Sequence, residues 1–153
     1  MRPNALFLCV LCAFVCAANV AYGAVTTIQA FSFGSFVVKK NDAQYDITIN
    51  TNSTYSFDSG GYIEISNPTE GIYDITGLPP STAIVSVVVT QVTPLSFSGK
   101  NFQMLSFQET HPGSTDPAGV ARIEVGGTAR SSGDMTAYPD GTYNGQVQIQ
   151  INF

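Results

Sequence analysis

The chain has 153 residues and a formal net charge of −5, and only 11% of its residues are charged, against an ordinary share of about 25%. Six Lys and Arg face eleven Asp and Glu, so there is no basic patch to displace counterions from phosphates, and nucleic acid is excluded as a partner. Ser, Thr, Asn and Gln supply the missing polarity, as in many exported β-proteins.

Residues 1–4 carry one charge, Arg2, and 5–18 read ALFLCVLCAFVCAA, an apolar run too short for a comfortable membrane span. Ala21 and Gly23 then set small residues where a signal peptidase reads. A secretory leader over 1–23 is expected, with one exported domain over 24–153 and no transmembrane helix. Cys9, Cys12 and Cys16 all lie in the leader, so the mature chain has no thiol for disulfides, zinc or nucleophilic catalysis.

From Ala24 onward no helical period is sustained. Short runs rich in Val, Ile, Thr, Phe and Tyr alternate with Gly, Pro, Asn and Asp clusters, which predicts an all-β, Ig-like antiparallel sandwich of two sheets and about eight strands. The strands are expected over 26–38, 44–50, 61–66, 71–76, 83–92, 101–108, 120–128 and 142–153. In the first, Phe31 and Phe33 have the opposite parity to Phe36 and Val38 across Gly34. A bulge at that glycine would keep all four side chains inward. The run Ile84-Val85-Ser86-Val87-Val88-Val89 barely alternates and predicts burial on both faces or a central position. Residues 77–80 and 110–119 read as loops, and Pro139-Asp140-Gly141 as a turn into the last strand.

Candidate chemistry is sparse. The single histidine, His111, precedes Pro112 with only Glu109 or Asp116 near it in sequence, and reads as a solvated loop residue. Asp116 alone is too little for a calcium site. Glu64 and Asp74 lie on neighbouring predicted strands, as a glycosidase pair would, but each sits between apolar residues and reads as solvent-facing decoration. Asn52-Ser53-Thr54 is a glycosylation sequon. Seven tyrosines and ten phenylalanines raise a carbohydrate platform, yet most occupy alternating strand positions where packing accounts for them. No catalytic residue, cofactor or metal ligand is assigned.

The chain closes on GTYNGQVQIQINF, in which Tyr143, Val147, Ile149, Ile151 and Phe153 share one face and polar residues the other. Burying the last four at roughly 1.5 to 3 kcal/mol each would be comparable to the net stability of a typical domain, so this strand is expected to be integral. A hydrophobic C-terminal strand can also be read by another protein through strand addition. Periplasmic pilus chaperones and the machine that inserts outer-membrane barrels both recognise such ends.

The segments Phe31-Ser32-Phe33-Gly34-Ser35-Phe36, Gly71-Ile72-Tyr73-Asp74-Ile75-Thr76, Val125-Gly126-Gly127-Thr128, Gly141-Thr142-Tyr143-Asn144-Gly145 and Ile149-Gln150-Ile151-Asn152-Phe153 together resemble the bacterial domain of unknown function 4402. That exported β-sandwich family is similar to fimbrial and spore-coat-like pilus subunits. The resemblance implies a Gram-negative periplasm, cell surface or medium, a structural or adhesive role without enzymatic activity, and a periplasmic chaperone and neighbouring subunits as partners in an oligomer. Tyr143, Val147, Ile149, Ile151 and Phe153 are then the assembly strand. Ile28, Phe31, Phe33, Phe36 and Val38 would form a strand donated to a neighbour. The alternatives are a small outer-membrane β-barrel, for which 61–66 and 71–76 are too short to cross, and a monomeric periplasmic or secreted carbohydrate-binding module.

Overall fold

A computed structural model of the protein describes the strand Leu8–Cys9 and residues 23–153. The remainder of the expected leader lies outside the described residues. Among the described residues there is no helix, and therefore none long and apolar enough to cross a membrane.

The strands are β1 (Leu8–Cys9), β2 (Ala24–Gln29), β3 (Ser35–Val38), β4 (Asp46–Ile49), β5 (Tyr55–Phe57), β6 (Tyr62–Ser66), β7 (Gly71–Thr76), β8 (Ser86–Phe97), β9 (Lys100–Thr110), β10 (Ala121–Arg130), β11 (Gly141–Thr142) and β12 (Asn144–Asn152). They form an all-β sandwich. Its spine is β10, whose first half pairs with β7 and second half with β4, while β9 runs along the opposite edge. β2 extends the sheet beyond β7, and β5 extends it beyond β4.

The second layer covers this sheet in two parts. β8 and β9 pair only at their shared turn, Leu95 to Phe97 with Lys100 to Phe102, so β8 swings away and carries β12 over β7 and β10. There Tyr73, Ile75, Ile123 and Val125 meet Val87 and Ile149 in one core cluster. The antiparallel pair β3 and β6 covers β4 and the far end of β10, where Phe36 and Tyr62 meet Ile47, Ile49 and Ala129 in the other. Burial at every second position, as along Gly71–Thr76, is what a strand with one face on a core requires.

Three expectations need correction. The single strand over 26–38 is two, because the chain changes sheet: β2 pairs with β7, and β3 pairs with β6. Gly34 sits at the crossing with φ +73, and a Cβ there would lie 2.4 Å from the Ser66 carbonyl oxygen, so only glycine fits. Phe31, Phe33 and Phe36 are still buried and Val38 half-buried, as the parity argument required, but by a change of layer instead of a bulge. Ile28, upstream of the crossing, points to solvent.

The run Ile84 to Val89 is not buried on both faces. Ile84 and Val87 are inside, whereas Val85 and Val88 are exposed, since β8 lies in the outer layer and, among the described residues, no strand packs on its far side. β8 also continues through Pro94, where a strand end was expected. Proline cannot donate to a ladder, and the register of β12 shifts opposite it, between Asn144 and Val147. The structure adds β5, which three residues of sequence were too short to signal, and residues 23–153 hold eleven strands where about eight were expected.

Cross-strand ion pairs hold the register of the spine. Arg130 Nε and Nη2 donate to both oxygens of Asp46 (2.6 and 2.7 Å), and Arg122 pairs in the same way with Asp74 (2.8 and 2.9 Å). Each couples residues directly opposite in the ladder. Such exposed pairs add little net stability, but a one-residue slip would break them.

Candidate assembly site

Two strands of the second layer approach each other without pairing. β3 has β6 on one side; on its other side, across a gap one strand wide, lies β11, which runs on into β12. Among the described residues the gap is bridged by the backbone of β1: Leu8 stands opposite Phe36 and Gly141, and Cys9 opposite Ser35 and Thr142. β1 is antiparallel to β3 and parallel to β11. Among residues 23–153 no strand lies between them.

The floor of this slot is aromatic. Phe36 from β3 meets Phe102 from β9 edge-on at 5.7 Å, and Phe102 stacks on Tyr138 at 4.4 Å and meets Tyr143 edge-on at 5.2 Å. Tyr138 and Tyr143 flank β11, so Phe102 ties the two walls together from below. Edge-to-face and offset-stacked rings at these separations are the favoured geometries. Each phenol is anchored. Tyr138 Oη accepts from Ser132 N–H (2.8 Å) and donates to the Asn101 carbonyl (2.9 Å), and Tyr143 donates to the Pro139 carbonyl (3.1 Å). Burial pushes the Tyr143 phenol well above its ordinary range, so it stays a donor at any accessible pH.

The loop leading into β11 is braced by Asn41. Its Nδ2 lies within hydrogen-bonding distance of Ser132 Oγ (2.9 Å), Asp134 Oδ1 (2.8 Å) and the Thr136 carbonyl (2.9 Å), and its Oδ1 accepts from Gly133 N–H (2.9 Å). Lys100 Nζ reaches Asp134 Oδ2 at 2.6 Å and lies 5.3 Å from the Tyr138 ring centre. The Lys100 ammonium, with the Thr136 hydroxyl and N–H, holds the Asp134 carboxyl well below the usual carboxylate range. A depressed carboxyl pKa contributes stability that is present above the unfolded value of about 3.9 and lost as pH falls through the folded one. Asp134→Asn is therefore expected to lower the melting temperature at pH 7. The gap to the parent chain should narrow below about pH 4; melts across pH 2.5 to 7 check this.

Of the expected assembly strand, Tyr143, Val147 and Ile149 are buried and Ile151 is half-buried, but Phe153 is 43% exposed and not in the core. The ladder with β8 ends at Asn152 opposite Ser86, so the last residue lies past it and is only partly covered. Of the expected donor residues, Phe31, Phe33 and Phe36 are built into their own chain's core at 1% exposure, with Val38 packed against it. Ile28 alone is outside.

Other candidates are committed elsewhere. Asp74 is held by Arg122, and Glu64 accepts from the Tyr55 hydroxyl at 2.8 Å; the two carboxylates do not form a pair. His111 Nδ1 lies 2.8 Å from the Pro112 carbonyl, and its Nε2 is 3.8 Å from Glu109. Asp116 Oδ1 accepts from the backbone N–H groups of Ala118 and Val120, an internal loop brace. In the sequon turn, Asn52 Oδ1 accepts from the Thr54 hydroxyl. Sequence reasoning missed Phe102, Tyr138 and Asn41, because only the tertiary fold brings Phe102 and Tyr138 together beneath the gap and Asn41 against the loop that leads into β11.

No curated protein and no solved structure matches the chain. A family model does, over residues 24–153, and its span takes in every strand of the body as well as both walls and the floor of the slot. The chain belongs to the family described as a domain of unknown function, DUF4402.

Proposed function

We propose that the protein is a non-enzymatic, exported structural or adhesive subunit that is built into a larger surface assembly by β-strand addition, after removal of residues 1–23. One observation carries the reading: the second layer of residues 24–153 is a strand short between β3 and β11. An open pair of strand edges is a template for another strand. A globular domain with no further partner would ordinarily close or blunt it. The commitment of His111, Glu64 and Asp74 to local contacts supports a structural role over carboxylate or histidine chemistry. The interior filled by Phe31, Phe33, Phe36 and Phe102 favours a packed sandwich over a water-lined barrel.

The test is electron microscopy of the surface of cells with and without this gene product, paired with fractionation. Filaments or a surface layer that vanish with the protein are expected. A product retained in carbonate-washed membranes, or cells whose surface is unchanged and whose periplasm holds only monomer, would overturn the reading.

A further inference from the structure

We infer that the slot between β3 and β11 receives residues 24–30 of a second copy of this chain. This rests on the assembly reading above and specifies its partner. With β1 removed, the slot would offer hydrogen-bonding capacity on a known wall. Ser35 N–H donates to Ser66 Oγ (2.9 Å) and Lys39 N–H to the Gly61 carbonyl (2.7 Å), both toward β6. Backbone groups alternate edges along a strand, so the N–H groups of Phe36 and Val38 face the slot. The aromatic bridge through Phe102 fixes the separation of the walls, so an incoming strand meets a prepared site and not a collapsed one.

That the slot takes a strand is seen in the pairing of Leu8–Cys9 with both walls. Beyond Phe36 it opens into a groove of about 510 Å³ lined by Val37, Val38, Ile63, Met135 and Tyr138 among others. Ile63 is 51% and Met135 81% exposed, and Met135 is held in a left-handed conformation (φ +62) at the groove's rim. Lys39 and Lys40 line the groove too, so it suits a segment with apolar side chains and no positive charge. Cleavage after Gly23 would remove β1 and leave the slot unfilled.

Residues 24–30, AVTTIQA, are the segment that fits. They carry no charge. In their own chain residues 24–29 are a sheet rim, paired on one side only with β7, with Ala24, Thr26, Thr27 and Ile28 exposed. They are thus an edge strand of the mature body, held by one neighbour. The donated length ends at Ala30, because Phe31 and Phe33 are locked in the core and Ser32 is bonded in both directions to Thr69. That lock also rules out insertion in cis. To lie antiparallel beside β3, the preceding strand would have to reverse within 31–34, which are fixed crossing between the layers. The donor must come from another copy.

The mature chain has no cysteine of its own, so engineered ones report cleanly. Full-length chains carrying Thr142→Cys with either Thr26→Cys or Ile28→Cys are exported, oxidised mildly on the cell, and blotted after denaturing electrophoresis. A ladder of disulfide-linked copies is expected from at least one pair. Val38→Pro, which removes a slot-facing N–H while sparing the bonds to β6, should lower the linked fraction by at least about fivefold, the equivalent of one hydrogen bond. Its thermal melt verifies that the variant is folded. Assemblies that persist without cross-links and ignore Val38→Pro would overturn the slot but leave the assembly reading standing. Links confined to one chain, or to a different protein, would also overturn it. Monomer alone, with no surface structure, would remove both.

Discussion

A chain lacking residues 146–153 is expected to show no cooperative thermal unfolding transition. Among the described residues β12 is the only partner of β8 from Ser86 to Thr93, and it buries Val147 and Ile149 fully and Ile151 in part. At roughly 1.5 to 3 kcal/mol per fully buried side chain, that loss alone is on the order of 4 to 7 kcal/mol before chain entropy is counted, against a typical net stability of about 5 to 15 kcal/mol. Two further losses follow. Val87 and Ile84 lose their cover, and the cluster over Tyr73 and Ile123 is opened to water. Circular dichroism melts and proteolysis of the truncated chain check this. Phe153→Ala is the matched control. With its side chain 43% exposed and lying past the end of the ladder, it should shift stability far less than the truncation, by about 1 kcal/mol or less. A truncated chain that still melts cooperatively would mean that the layer over β7 and β10 is dispensable.

Phe102→Ala is expected to cost about 3 to 5 kcal/mol in urea-induced unfolding, the usual range for deleting a buried phenylalanine. Phe102 is fully buried and touches rings from three places in the chain, Phe36, Tyr138 and Tyr143, so its removal leaves a cavity that none of them can collapse into without giving up another contact. Phe102→Leu should recover more than half of the loss, since most of the volume returns. Tyr138→Phe separates packing from hydrogen bonding at the same spot. It keeps the stack but strips Ser132 N–H and the Asn101 carbonyl of their partner, a cost of about 1 to 3 kcal/mol. A Phe102→Ala loss of under 1 kcal/mol would show that the walls of the slot are not tied through this ring.

The strands with regular alternation were legible from residues alone. Gly71–Thr76 has its expected bounds, and β6, β9 and β10 lie within a few residues of theirs. Each buries one face, so period two is written directly into the sequence. Legibility failed where a strand's surroundings, and not its own residues, set its exposure. Val85 and Val88 look like core in a run of aliphatics, but no second sheet lies above them. Phe153 looks like the last core residue, yet the partner strand starts at Ser86 and leaves it only partly covered. Phe31, Phe33 and Phe36 read as the inward face of one bulged strand, but the chain changes layer at Gly34.

By itself, the sequence determined an all-β body over 24–153 with no thiol, closed by a half-buried terminal strand, and it carried enough ordered motifs to point to the family. These follow from local chemistry: side-chain period, turn residues and composition act at short range. The tertiary structure alone decided that the first strand changes layer, that Phe102 links two distant segments, and that β3 and β11 stand one strand apart. A gap between strands is a relation between residues about a hundred positions apart, and no local pattern encodes it.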